Sequence, residues 1–375
     1  MRRSTRGGTV AALLAAMAGV LGCADRGAAR VPEWTLVETL RIGGAEEGPA
    51  ALDYVKGHAV DASGRIHVYD RSTQDIRVFA PDGRLERVIG RKGSGPGELR
   101  DAEGIAFDQD GRLWVRDAAN ARFSIFGADG AFESAWGMQF CSSQGEWVPR
   151  RDDRGRLVDD DCMVVDGRGD GYGVLAYRTD RSGVDTLGMR AECGTRALAE
   201  QGTWITKLVN GMRYQQIPWA PRAAWALTAT GALWCAPNSA TYEVLRLGVG
   251  GRDTLRVVGA AAPVPVTAAE RDSVIAGLEQ GGPTGLDYAR IPSTKPAIDR
   301  LTVDDEGRLW VRRTEADGAI VFDLYDAGGA PVAVARLGRV ATSTWAPFVV
   351  RGDDVYAVVA GTDDVLQVVR YRLTR

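Results

Sequence analysis

Two stretches of 32 residues, 59–90 and 106–137, align without a gap and are identical at eleven positions, among them Asp61/Asp108, Gly64/Gly111, Arg65/Arg112, Asp70/Asp117 and Gly83/Gly130. Each copy sets short apolar runs between Gly-containing turns, first Ser63-Gly64 or Asp110-Gly111, then Asp82-Gly83 or Asp129-Gly130. Such turns join antiparallel strands, so one copy is a meander of short strands. A lone meander cannot cover both of its faces, and the copies must therefore pack on one another.

Looser copies follow the first two. Their first turns read Asp153-Arg154-Gly155-Arg156-Leu157, Thr230-Gly231-Ala232-Leu233-Trp234, Glu306-Gly307-Arg308-Leu309-Trp310 and Arg351-Gly352-Asp353-Asp354-Val355. The six turn glycines, 64, 111, 155, 231, 307 and 352, are 47, 44, 76, 76 and 45 residues apart. All-strand repeats of this size indicate a β-propeller, and the two long intervals indicate insertions. The fold class is all-β: a single six-bladed β-propeller over residues 34–375, with an inserted hairpin and a short inserted helix. The strand-like run from Trp34 to Ile42 is expected to complete the last blade and close the ring. Closure removes the exposed sheet edges that would invite aggregation.

Gly93-Ser94-Gly95-Pro96-Gly97-Glu98-Leu99, then Gly104-Ile105-Ala106-Phe107-Asp108, Asp110-Gly111-Arg112-Leu113-Trp114-Val115 and Asn120-Ala121-Arg122, resemble the NHL repeat of six-bladed propellers. The whole chain resembles bacterial lipoproteins known simply as six-bladed β-propeller proteins. That resemblance implies the fold and says little about chemistry, because propellers host binding proteins, lyases, lactonases and hydrolases alike. Calcium-dependent lactonase propellers surround their channel with Asn and Asp. The three Asn here, 120, 210 and 238, count against that activity.

The first 22 residues read as a signal peptide. Arg2, Arg3 and Arg6 precede an apolar run from Val10 to Leu21 that is too short for a stable transmembrane helix. Val20-Leu21-Gly22-Cys23 resembles a lipobox, which would make Cys23 the lipid-bearing first residue and 23–33 a tether. The expected location is the periplasmic or outer face of a bacterial membrane. With 46 Lys+Arg against 49 Asp+Glu the chain is near neutral, so nucleic acid is not an expected partner. A monomer is expected.

In the first insertion, Asn210-Gly211 between two strand-like runs marks a hairpin over 203–214. In the second, Thr267 and Glu270 have capping-box spacing ahead of Val274, Ile275 and Leu278, and Gly281-Gly282-Pro283 ends the helix. It reads as a cover for apolar blade surface, with a lid over the channel as the alternative. Cys235 occupies the slot of Val68, Val115 and Val311 and reads as a buried free thiol. One disulfide is expected among Cys141, Cys162 and Cys193, without an assigned pairing.

Candidate chemistry is sparse. Two His exclude a three-His zinc site. His67 aligns with Trp114, Trp234 and Trp310 as a packing residue, and His58 precedes the first inner strand. The acidic string Asp152, Asp153, Asp159, Asp160, Asp161, Asp166 and Asp170 could wrap Ca²⁺, yet it does not match an EF-hand loop and reads first as a solvated loop. No cofactor is expected, and Ca²⁺ is the one ion kept in view. The Gly93–Gly97 loop opens no helix and reads as a repeat turn rather than a phosphate cradle.

Segments leading into the inner strands surround one end of the central channel. They carry Lys56, His58, Glu103, Trp147, Arg222, Lys295 and Trp345, a mixture of aromatic and charged groups suited to a peptide, glycan or protein loop. With no nucleophile, base and orienter set in view, a binding scaffold is the first reading. A metal-assisted hydrolase or lyase at the channel mouth is the second, with His58 and the acidic residues as its handles.

Overall fold

The computed structural model describes residues 31–375 apart from 45–47, 139–149, 166–169, 190–192, 194–195, 209–210, 249–253, 282–284, 344–345, 347 and 362–364. Residues 32–375 form one compact unit. Residues 1–30, Cys23 among them, lie outside the described residues.

Six antiparallel four-stranded meanders follow one another along the chain: residues 55–89, 102–137, 150–189, 224–258, 298–338, and 349–374 completed by Glu33–Ile42. The last blade is closed by the N-terminal strand, whose Leu36, Val37 and Glu38 pair antiparallel with Leu373, Arg372 and Tyr371. That strand is also stitched to blade 5, where Glu33, Trp34 and Thr35 pair in parallel with Val334, Ala335 and Arg336.

The core lies between blades. Each of the six interfaces has its own apolar cluster, such as Tyr69, Ile76 and Val78 with Ile105, Leu113 and Phe126 between blades 1 and 2, or Val358 and Val368 with Val55, Val68 and Phe79 between blades 6 and 1. The other four junctions are filled in the same way. A cluster between the last and first blades is what makes the stack a closed ring.

The repeat motif is a clamp at the first turn. All six turn glycines have positive φ, between 57° and 83°, a region that favours glycine. Three residues earlier, Asp108 accepts the N–H groups of Asp110 and Arg112 (both 2.9 Å) on one oxygen, and Arg112 Nε (2.7 Å) and Trp114 Nε1 (2.9 Å) on the other. Asp304 repeats the pattern with Glu306, Arg308 and Trp310, and Asp152 with Arg154 and Arg156. In blade 1, His67 takes the Trp slot 3.6 Å from Asp61 and stacks edge-on against Phe107 of blade 2, the packing role expected of it. Blade 4 has Thr228 in the Asp slot, and the buried Trp234 Nε1 has no hydrogen-bond partner among the described residues.

The Gly93–Gly97 loop opens no helix and lies in the connection from blade 1 to blade 2. Its carbonyls accept from Asn120 (Gly93, 3.0 Å) and Arg122 (Gly95, 2.8 Å), and Glu98 accepts the Gly95 N–H.

The two insertions differ from expectation in where they pack. The hairpin pairs Thr203–Leu208 with Gly211–Gln216. The helix Ala268–Gly281 has the capping box, with Glu270 N donating to Thr267 Oγ1 (3.2 Å) and Thr267 N to Glu270 Oε2 (3.0 Å). Instead of covering a blade, Ile275 and Leu278 of this helix join Trp204 of the hairpin, Ile217, Ile291 and Tyr288 in a seventh apolar cluster. Trp204 Nε1 donates to the Asp287 carbonyl at 3.1 Å. The two insertions are thus one subdomain flanking blade 4.

Cys235 is not a free thiol. It bonds to Cys193, with Cα atoms 5.7 Å apart. The apolar slot that buries it faces blade 3, and the segment leaving blade 3 brings Cys193 to that interface. Cys141 and the Cys162 side chain lie outside the described residues.

Candidate functional site at the channel end

Successive strands reverse direction. The segments leading into each blade and the connections between second and third strands therefore share one end of the ring. At this end the inner strands of three blades carry a β-bulge at the same repeat position. Pairing shifts between Val55 and Gly57 in blade 1, between Ala102 and Ile105 in blade 2 and between Ile298 and Arg300 in blade 5. The residues re-aimed there are Lys56, Glu103 and Asp299, all charged. Bulges recur beside functional sites because they redirect one side chain without breaking the sheet. Gly57 keeps the ring tight, since a Cβ there would sit 3.2 Å from the Gly104 Cα of the next inner strand.

Each bulged carboxylate meets an Arg on the neighbouring strand. Glu103 Oε2 accepts from Arg116 Nη1 at 2.7 Å, and Asp299 Oδ2 lies 3.1 Å from Arg312 Nε. Arg116 and Arg312 hold the same repeat position. Blades 2 and 5 are three steps apart in a ring of six, so the two pairs stand on opposite sides of the channel. Arg116 is fully buried and reaches on to Asp159 of blade 3, 3.1 Å from its Nε. Arg312 is partly exposed, donates to Thr342 Oγ1 (3.3 Å) and lies 5.8 Å from the centre of the Phe348 ring. Glu103 and Arg116 are both buried and close on each other, so the charges this end presents to a polar ligand are the part-exposed Lys56, Asp299 and Arg312.

Of the sequence-derived rim residues, Lys56 is part-exposed at this end, whereas Glu103 shares its repeat position but is buried against Arg116. His58 is not part of the rim. It lies within the strand Val55–Val60, not ahead of it, and is only 4% exposed. Burial drives its pKa down to about 4, which leaves a neutral imidazole packed within the ring. Lys295 is turned away to the insertion helix, where its Nζ donates to Glu270 at 2.5 Å and holds that carboxyl down at about 2. Arg222 is exposed at the approach to blade 4, its backbone tied to Ser239. Trp147 and Trp345 lie outside the described residues. The acidic string divides: Asp152 serves the turn clamp and Asp159 pairs with Arg116, while Asp153 lies exposed beside that clamp. The side chains of Asp160, Asp161, Asp166 and Asp170 lie outside the described residues. Among the described residues no cluster of three or more His, Cys, Asp or Glu side chains is arranged to hold a metal ion.

Sequence reasoning missed Arg116, Asp299 and Arg312, and took Asp159 only as one of an acidic string. The signal was present for Asp159, because it stands in the slot filled by Val68, Val115 and Val311, and a carboxylate in a buried apolar slot needs a cationic partner.

The fold places the protein among six-bladed β-propellers. Residues 57–145 match the model of a family described as 6-bladed beta-propeller. No curated protein matches the chain. Among solved structures, the chain is similar to a member of the duf4221 family from Bacteroides vulgatus, at 9% identity, TM-score 0.54 and coverage of 92% of this chain and 100% of that one. It is also similar to a Bacteroides fragilis protein provisionally described as exported, at 13% identity, TM-score 0.50 and coverage of 91% and 95%. A streptogramin B lyase aligns at 11% identity and TM-score 0.44 over 86% and 94%.

Proposed function

We propose that the protein is an exported recognition scaffold, lipid-anchored through Cys23, that binds a peptide, glycan or protein loop at the bulged end of its channel. The observation that carries this reading is the recurrence of a charged bulge at one repeat position of the inner strands, which leaves Lys56 on one side and Asp299 with Arg312 on the other part-exposed at the channel end. The provisional description of the Bacteroides fragilis relative as exported supports the location, as does the lipobox-like sequence at Cys23.

A hydrolase reading loses its main handle, since a buried neutral His58 does not reach a substrate at the mouth. The test is capture of ligands from envelope extracts and glycan or peptide arrays, with Lys56→Ala, Asp299→Asn, Trp147→Ala and Trp345→Ala as comparisons. Loss of about tenfold or more in affinity on changing rim residues is expected, because a few central side chains dominate recognition. Stoichiometric Ca²⁺, with activity on esters, lactones or peptides that a chelator abolishes, would replace the scaffold reading by the hydrolase one. Cys23→Ser is expected to release the protein from the membrane fraction, and unchanged partition would remove the anchor.

A further inference from the structure

Blade 4 breaks the turn clamp. In blades 2 and 5 the carboxylate of Asp108 or Asp304 takes two turn N–H groups on one oxygen and the Trp indole on the other, Trp114 at 2.9 Å and Trp310 at 2.8 Å. The Arg after the turn glycine, Arg112 or Arg308, binds the same carboxylate. Blades 1, 2, 3 and 5 all have Asp at this slot, whereas blade 4 has Thr228, and Ala232 in place of the Arg. The Thr228 hydroxyl donates to the Ala232 carbonyl at 2.9 Å and lies 3.0 Å from Thr230 Oγ1. It leaves the indole unserved: Trp234 Nε1 is buried and meets no acceptor among the described residues.

The donors around the slot have been kept. The turn has the shape of its sisters, with Gly231 at φ 83° and its N–H on the Thr228 carbonyl at 3.0 Å, as Gly111 is at 77° with its N–H on Asp108. Trp234 is fully buried in the cluster toward the next blade, where Trp114 and Trp310 also pack. A cation has returned by another route. Across the sheet Trp114 pairs with Ile125 and Trp310 with Leu324, both apolar, whereas Trp234 pairs with Arg246. Directly paired residues share a face, so Arg246 stands beside the indole. Its Nε is buried and, like Trp234 Nε1, has no acceptor among the described residues. Two buried neighbouring donors, one of them cationic, are costly to leave unpaired.

We propose that blade 4 binds an external carboxylate in place of the missing Asp, on Trp234 Nε1, the Arg246 guanidinium and the turn at 228–232, with a short-chain acid such as acetate as the ligand. A carboxylate fits because its two oxygens divide the work as they do in the sister clamps, one toward the turn and one toward the indole and the cation. The Asp side chain beyond its Cα is itself an acetate group. Arg246 is only partly buried, which gives the slot an approach from solvent. The first turns lie at the end of the ring opposite the charged bulges, so this site is separate from the channel-end one and does not depend on it.

The test follows the indole N–H resonances of protein labelled with nitrogen-15 tryptophan, that of Trp234 being identified by its loss in Trp234→Phe. Sodium acetate, titrated against sodium chloride at equal ionic strength, is expected to move this resonance downfield and saturably with a Kd of about 1 mM, and to raise the melting temperature. In a parallel titration with acetyl-aspartate amide, a response to acetate alone assigns the site to free acids, and a response to both admits the acidic side chain of a polypeptide. Arg246→Gln is expected to weaken acetate roughly tenfold or more, since it removes the charge-assisted bond. Thr228→Asp rebuilds the internal carboxylate. It is expected to place the Trp234 resonance downfield without acetate, to abolish the response and to raise the melting temperature. Near-ultraviolet circular dichroism checks that both variants keep the fold. A Trp234 resonance unmoved by acetate in the unmodified protein, the same shift with chloride, or an undiminished response in folded Arg246→Gln and Thr228→Asp would overturn the proposal.

Discussion

At the scale of single residues, the two histidines set a pH dependence that can be worked out in sign. Burial lowers His58 and His67 to about 4 from the ordinary 6.5, His67 against a smaller opposing pull from Asp61. Below pH 6.5 the unfolded chain takes up these protons while the folded chain refuses them, so stability falls as pH drops. The loss is complete near pH 4 and amounts to about 3 kcal/mol for each histidine. Asp61 and Asp70 are depressed below the ordinary carboxylate value, so what they contribute is lost at still lower pH. Denaturant midpoints at intervals between pH 7 and 4 are expected to decline, and His58→Phe is expected to remove about half of that decline. A slope unaffected by His58→Phe would show that the ring is protonated in the fold. Arg116 gives a second prediction. It is buried between Glu103 and Asp159, so Arg116→Met strands carboxylates inside the ring and should cost about 3–5 kcal/mol. Adding Asp159→Val, the residue of the equivalent slots, and Glu103→Gln should recover most of it in urea titrations while abolishing any ligand affinity that depends on the pair.

Among elements, the insertion subdomain is the most independent. Its cluster is built on Trp204, which packs edge-on against Tyr288 with ring centres 6.2 Å apart, and Arg290 ties the unit to the carbonyl of Gln201 at 2.7 Å. Trp204→Ala is expected to cost about 3–5 kcal/mol locally, and hydrogen exchange should accelerate together in 203–216 and 268–281 but not in blades 1, 2 and 6. Uniform acceleration across the ring would show that the subdomain supports the propeller. The blades themselves were legible because their clamp is written in local sequence: Gly, Arg and Trp three, four and six positions after an Asp leave a motif wherever they recur. The hairpin and helix were legible one by one for the same reason, through Asn-Gly and the capping box. Their union was not, because Trp204 and Ile275 are joined only by packing, and no spacing in the chain encodes it. The charged bulges were partly hidden too: a bulge shifts register by one residue, which leaves Lys56 and Glu103 visible as charges near an inner strand and Asp299 beside them unremarked. The Cys193–Cys235 bond was hidden behind the alignment, since a cysteine in a valine slot looks like a small apolar residue until its neighbour blade is known.

For the molecule as a whole, the ring is held by pairwise burial and closed by one strand. The N-terminal strand supplies Leu36 to the cluster between blades 5 and 6 and Ile42 to the cluster between blades 6 and 1, and it covers the edge of Leu366–Thr374. Starting the chain at residue 43 therefore removes apolar contacts from two interfaces at once and bares a strand edge nine residues long, a template for pairing with other chains. The ring has no terminal cap to fall back on, unlike an open solenoid, so the loss is shared by every blade. The truncated chain is expected to aggregate or to melt well below the intact one without a sharp transition. Moving the same strand to the other end, as a permutant in which residues 32–42 follow Arg375 through a flexible linker, restores the same pairs and should restore a cooperative melt, because the two strands already run antiparallel with Thr35 opposite Thr374. Calorimetry on the intact, truncated and permuted chains measures this directly. If the truncated chain melted as sharply as the intact one, the closing strand would be an ornament and the six interfaces would not be coupled through it.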